Sequence, residues 1–167
     1  MTSHTEIFTA GYGRWDAKSR WDRLVVALLD ARVGLLVDVR HSPCASNMDP
    51  GHHYGPRDWH VQADGRGIAS NLREVGIGYL WLVELGNPQK TDPRMSVLRE
   101  HLADPAGGWP VHRGLELLRG LVADRGERPC LLCACAEYES CHRKLIAEAL
   151  LDRLSARARH RDLSVRM

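Results

Sequence analysis

The chain lacks several features that would assign a class at once. No apolar run approaches the roughly 20 residues that cross a bilayer, so no membrane partner is expected. The start, Met1-Thr2-Ser3-His4-Thr5-Glu6, has no basic stretch followed by an apolar one, so no secretory leader is read. Net charge is small: +2 at pH 7 does not argue for a polyanion or a membrane surface. No internal repeat, low-complexity tract or linker is found. Five cysteines is an odd number, and four of them crowd at 130, 133, 135 and 141. That is not a disulfide scaffold, so the thiols are read as reduced and the location as cytoplasmic.

What remains is an ordinary globular balance, 44% hydrophobic and 26% charged over 167 residues. This length fits one domain, 1–167, that buries about 68–70% of its unfolded surface. The pattern begins with a strand at 6–10 and a helix over 17–32, whose apolar positions are Trp21, Leu24, Val25, Leu28 and Leu29, ended by Gly34. The run at 34–40 is apolar enough for a strand covered on both faces. Residues 41–67 form an irregular loop rich in proline, glycine and histidine. Further helices are expected at 68–75, 95–102, 111–125 and 141–156. Further strands are expected at 77–83, 129–133 and 162–166. The fold class is therefore α/β: a single three-layer domain with a mostly parallel sheet of 4–5 strands and helices on both faces.

Ligands of such folds bind beyond the carboxyl ends of the strands. Those ends carry residues 9–12, 38–43, 84–87 and 133–135. The last segment leads into the densest group of reactive side chains, Cys133-Ala134-Cys135-Ala136-Glu137-Tyr138-Glu139-Ser140-Cys141-His142-Arg143. Cys141 falls at the start of the last helix, with Ser140 as a candidate cap. The helix N-terminus, His142 and Arg143 all favour a thiolate there, so Cys141 is a candidate nucleophile and His142 a proton carrier. A small buried thiol is the bland alternative. Cys133 is the second candidate nucleophile. Cys133 and Cys135, two apart, point to one face and with Cys141 could hold a metal ion. The spacing is not the paired Cys-x2-Cys of structural zinc, and adjacent Cys and His are poorly placed to reach one ion. No cofactor is required by the sequence. Cys130 is read as a core residue.

Arg143 and Arg40 are candidates to bind an anionic small molecule or nucleotide, against ion pairs with Asp38 or Glu84. Tyr12 and Asn87 lie on the same edge and are candidate substrate contacts. Asp38 and Glu84 each follow apolar residues, where a carboxylate needs a partner or a job. Each is a candidate acid or base, or a brace for a neighbouring turn. Tyr54 and Trp59 could stack on a base of a nucleic acid, whereas His41, His52, His53 and His60 match no ligand spacing. Gly11-Tyr12-Gly13 is not a dinucleotide fingerprint, because Asp16 stands where the last glycine would be.

Several segments together resemble the domain of unknown function 488 family. They are Thr9-Ala10-Gly11-Tyr12-Gly13, Leu36-Val37-Asp38-Val39-Arg40 with Pro43, Gly76-Ile77-x-Tyr79, Glu84-Leu85-Gly86-Asn87-Pro88, and Leu131-Leu132-Cys133-x-Cys135-x5-Cys141-His142-Arg143-x2-Ile146-Ala147. The resemblance implies a compact α/β domain with the cysteine motif at its site, and no established reaction. The strand at 37–40 also looks like the opening strand of rhodanese-like domains, which carry sulfur on a loop cysteine. Arg143 falls beyond the interval that pattern requires, so sulfur transfer is an analogy only. The expectation is an enzyme for thiol-dependent transfer or hydrolysis on an anionic substrate. The alternatives are a nucleic-acid or nucleotide-processing protein and a metal-binding or redox-sensing module.

Overall fold

The structure, a computed structural model, describes residues 4–16, 18–41, 67–89 and 91–165. The expectations for His52, His53, Tyr54, Trp59 and His60 lie outside the described residues. In chain order the elements are β1 (Glu6–Gly11), a 3-10 turn (Tyr12–Arg14), α1 (Arg20–Asp30), β2 (Leu35–Asp38), α2 (Ile68–Glu74) and β3 (Gly78–Trp81). A second 3-10 turn (Val83–Leu85) leads to α3 (Ser96–Ala103), α4 (Pro110–Ala123), β4 (Pro129–Cys133), α5 (His142–Arg153) and β5 (Arg159–Asp162). The five strands form one sheet in the order β3-β2-β4-β1-β5, and every pairing is parallel.

Successive strand residues point to opposite faces, and the two faces bury different partners. Ile7, Val37, Val39, Leu131 and Cys133 pack with Leu98 of α3, Leu115 and Leu118 of α4, and Ile146 and Leu150 of α5. Phe8, Ala10, Leu36, Cys130 and Leu132 pack with Leu24 and Leu28 of α1 and with Ile68 and Leu72 of α2. The near-continuous apolar runs of β1, β2 and β4 are thus explained by burial on both sides. No helix among the described residues is long and apolar enough to cross a membrane.

Three local expectations are corrected. First, α1 is not closed by Gly34. Arg32 takes the left-handed conformation (φ 54°), Val33 N–H bonds Leu28 O (2.9 Å) and Arg32 N–H bonds Leu29 O (3.0 Å). This is a Schellman closure, and its register follows from burying Val33, the apolar residue after the left-handed one. Second, the last strand is Arg159–Asp162 rather than 162–166. It is an edge strand with an unremarkable polar sequence, held to β1 by its backbone, by Thr9 Oγ1 to His160 Nε2 (2.9 Å) and by Arg161 over the Phe8 ring. Third, the cap of α5 is Cys141 itself, not Ser140. Cys141 is extended (φ −101°, ψ 145°) and its sulfur accepts Arg143 N–H at 3.5 Å.

Candidate metal centre

β4 lies between β1 and β2, so its carboxyl end is central on the sheet edge. The chain leaves β1 for α1 on one face and leaves β4 for α5 on the other. Ligands of open α/β sheets bind at such a divergence. In register, Gly11 at the end of β1 stands beside Cys133 at the end of β4. Cys133 points to the face that carries α5, and Cys135 lies two residues further on. Because Cys141 is extended while His142 begins the helix, the chain bends between them. That bend lets the neighbouring sulfur and imidazole face one another, which a continuous helix start would not allow.

Three sulfurs converge there, with an imidazole beside two of them. The sulfurs of Cys133, Cys135 and Cys141 all lie within 4.8 Å of one another. Cys133 Sγ is 3.7 Å from Cys135 Sγ. His142 Nδ1 is 3.7 Å from Cys133 Sγ and 3.8 Å from Cys141 Sγ. His142 Nε2 lies 2.7 Å from the Val39 carbonyl oxygen. A carbonyl can only accept, so Nε2 carries a proton and Nδ1 is the atom turned toward the sulfurs. Cys133, Cys141 and His142 are 4%, 1% and 8% exposed, whereas Cys135 is exposed.

The ion-free thiols do not ionise alike. Hydrogen bonds from Cys133 and Cys135 hold the Cys141 thiol far below the usual range, against burial and with help from His142. For Cys133, the bond with Cys135 lowers the pKa, but Cys141 and burial outweigh it and push the thiol up to about 12. Bonding to Cys133 and Cys141, with burial, raises Cys135. Burial disfavours a charged His142, but the Cys141 sulfur overcomes it and raises the imidazole. Cys130 belongs to the opposite face, and burial raises its thiol.

Arg143 was expected to hold a substrate anion, but the fold encloses it. It is 0% exposed; Nη1 donates to Cys135 O (3.0 Å), Nη2 to Asp162 Oδ2 (3.3 Å), and Nε has no hydrogen-bond partner among the described residues. Asp162 Oδ1 in turn accepts Ser164 N–H and Oγ–H, and Ser164 Oγ accepts Gly11 N–H. This buried cation lies under the loop that carries Cys135. It explains Gly11-Tyr12-Gly13 in steric terms. A Cβ at Gly11 would meet Cys135 O at 1.9 Å and Arg143 Nη1 at 2.6 Å, and one at Gly13 would meet Ala134 O at 2.4 Å.

Asp38 and Arg40 likewise turn inward. Asp38 Oδ1 accepts Arg40 N–H (3.1 Å) and Nε–H (2.9 Å), and Oδ2 accepts Arg40 Nη2 and the Tyr79 hydroxyl, each at 2.6 Å. Arg40 Nη1 donates to the Tyr12 hydroxyl (3.1 Å), and Trp81 Nε1 donates to Arg40 O (2.9 Å). This network braces the β2 end, from which Val39 reaches His142. Burial raises the Tyr79 hydroxyl, reinforced by the Asp38 charge.

Glu84 and Asn87 do not join the cluster. β3 is two strands from β4, roughly 10 Å along the edge. Glu84 lines a groove of about 340 Å³ with His41, His101 and Arg113, and Asn87 Oδ1 accepts Gln89 N–H. A smaller recess, about 110 Å³, borders Cys141 with Arg99, Lys144 and Glu148. A larger one, about 540 Å³, lies between α1 and the end of β5, away from these thiols. Sequence reading missed Tyr79, Asp162, Ser164 and the Val39 carbonyl. Tyr79 alone carried a signal, as part of the Gly76-Ile77-x-Tyr79 segment.

No curated protein and no solved structure matches the chain. The sequence matches the family described as domain of unknown function DUF488 over residues 55–150. That span contains β3, the segment from Glu84 to Pro88 and the whole cysteine motif, and it exceeds half of the chain. The protein that gathers three thiols and an imidazole at the centre of its sheet edge belongs to the DUF488 domain family.

Proposed function

We propose that this chain is a metal-thiolate protein, with Cys133, Cys135 and Cys141 supplying sulfur and His142 Nδ1 supplying nitrogen to one thiophilic divalent ion, zinc first among them. The observation that carries the reading is the convergence of three sulfurs within 4.8 Å of one another, with His142 Nδ1 beside two of them, Cys133 and Cys141. Sulfur ligands about 2.3 Å from tetrahedral zinc stand about 3.8 Å apart. The Cys133–Cys135 and the two sulfur–imidazole separations are 3.7, 3.7 and 3.8 Å. A metal-bound histidine donates its other N–H to a carbonyl or carboxylate, the role that Val39 O takes for His142. Three thiolates and one imidazole around a dication leave one negative charge, and buried Arg143, which also pairs with Asp162, lies beside it. Three sulfurs and one nitrogen in a tetrahedral set favour zinc over harder ions.

Metal analysis of protein purified without chelator is the test, together with cobalt(II) replacement. About one ion per chain, with thiolate-to-cobalt charge transfer and tetrahedral d–d bands, is the expected result. A folded, metal-free protein that gives no cobalt spectrum would reject the reading.

A second reading keeps Cys141 as a nucleophile for a thiol-dependent transfer or hydrolysis. It is favoured by the sulfur at the α5 N-terminus and by the recess that Cys141 shares with Arg99 and Lys144. A recess of about 110 Å³ admits only a small substrate or the reacting end of a larger one. In this reading Arg40 and Arg143 position the site, while Arg99 and Lys144 face the anion. Turnover by metal-free protein that is lost in Cys141→Ala would favour it over the metal centre.

A further inference from the structure

One donor of the proposed ion differs from the other three. Cys133, Cys141 and His142 are buried, but Cys135 is exposed. The exposure does not come from a loose loop. Arg143 Nη1 holds the Cys135 carbonyl (3.0 Å), and Gly13 N–H holds the Ala134 carbonyl (3.0 Å). Gly11 and Gly13 pack so close to these carbonyls that neither site has room for a Cβ. Cys135 is thus an exposed residue on a fixed loop, and the sulfur of Cys133 stands 3.7 Å from its own. An accessible thiolate attacks disulfides, and a second thiol at hand completes the exchange.

Resting on the metal-thiolate reading, we propose that Cys135 is a thiol–disulfide exchange site for low-molecular-weight disulfides, with Cys133 as the resolving thiol and the ion as a released product. Cys135 Sγ attacks one sulfur of the small disulfide. The disulfide bond breaks, and the first thiolate leaves with the electron pair. Cys135, now in a mixed disulfide, no longer offers a thiolate to the ion. Cys133 Sγ then attacks Cys135 Sγ, and the second small thiolate leaves. Two electrons pass from the Cys133–Cys135 pair to the external disulfide, which ends as two thiols after taking protons from water. Both attacking groups are thiolates in the ion-bound state, so no protein base is needed. Cys141 and His142 alone hold the ion poorly, and it departs. A dithiol reductant reverses the exchange and restores the site.

The test uses the full chain loaded with zinc and exposed to oxidised glutathione. Samples are trapped over time with an alkylating agent and mapped by peptide mass, while a chromogenic chelator follows free zinc. The first glutathionyl adduct is expected on Cys135. A Cys133–Cys135 disulfide should follow, in step with zinc release. Cys133→Ala should stall at the Cys135 adduct, and the wild-type map decides the matter if that variant fails to fold. A first adduct on Cys133 or Cys141, or a zinc-loaded chain whose Cys135 stays unmodified while Cys44 reacts, overturns the exchange site and leaves the metal reading standing. Exchange at Cys135 in a chain that never takes up zinc or cobalt overturns the metal reading and, with it, ion release.

Discussion

Replacing Gly11 with alanine puts a methyl group where the structure already has three polar atoms. The new carbon would lie 1.9 Å from Cys135 O and 2.6 and 2.7 Å from the two terminal nitrogens of Arg143. Clearing these contacts means moving the Cys135 backbone by more than about 1 Å, since non-bonded carbon prefers about 3.5 Å. Neither partner yields cheaply. Arg143 is fully buried, and Cys135 O is one of its two acceptors. Overpacking a dense site costs about 1–3 kcal/mol, and a broken hydrogen bond to a charged group adds about 1.5–3 kcal/mol. The sum, about 2.5–6 kcal/mol, is a large share of a typical stability of about 5–15 kcal/mol. Urea unfolding of Gly11→Ala beside wild type measures it. Cobalt titration reads the displaced Cys135, where a tenfold to hundredfold weaker affinity is expected for disturbed second-shell support. Gly34→Ala is the control, because its Cβ would meet only Glu127 Oε2, at 3.4 Å. A Gly11→Ala loss below about 1 kcal/mol with unchanged cobalt affinity would refute the packing argument.

Asp38→Asn removes the charge of the carboxylate that holds Arg40 Nε and Nη2 and should lower stability in urea unfolding by about 1–3 kcal/mol, the scale of a hydrogen bond to a charged group; an unchanged unfolding midpoint would mean the pair is not the brace described. Arg32→Gly relieves a left-handed arginine and should stabilise by about 1 kcal/mol, seen as a raised unfolding midpoint with an unchanged denaturant slope. His160 has its pKa lowered, first by burial and also by the Arg143 charge, against Asp162. The unfolded chain then takes a proton that the folded one resists. Its contribution is therefore full above the ordinary histidine value of about 6.5 and is lost as pH falls below it, until the folded imidazole also protonates. The difference in thermal midpoint between wild type and His160→Gln should depend on pH in that window, and a pH-independent difference would contradict the assignment. Cys130, fully buried, should resist alkylation in the folded protein and react only on unfolding, as peptide mapping would record.

The fold was legible where burial leaves a periodic trace. β1, β2, β4 and the helices that cover them carry apolar side chains at the spacing of their element, and they were read within a few residues. β5 was misplaced because Arg159-His160-Arg161-Asp162 has no apolar alternation. Its pairing with β1 is a long-range fact that no local window contains. The motif residues were legible as a chemical concentration, but their roles depended on direction. Arg40 and Arg143 resemble anion binders in sequence, and only packing shows that both guanidiniums turn inward to Asp38 and Asp162. The objection to Cys141 and His142 sharing one site assumed a continuous helix. The extended Cys141 backbone, which no composition reveals, removes that objection. Glu84 and Asn87 were placed on the correct edge, yet strand order, invisible in sequence, puts them two strands away.

The central position of β4 also dictates when the molecule can assemble. β1 pairs only with β4 and β5, and β2 pairs with β3 and β4, so β1 and β2 never touch as neighbours. As the chain emerges from a ribosome, β2 and β3 can zip together, but β1 has no partner until residue 129 and beyond appear. The sheet is then closed by one late strand inserted between two early ones. Such non-local pairing slows folding, because the intervening loop entropy is lost before contacts reward it. The same strand delivers the thiols, so a nascent chain offers no preformed ion cage and cannot be loaded before its sheet is complete. Until that moment two apolar strand edges stand open, and chaperone demand should peak in that interval.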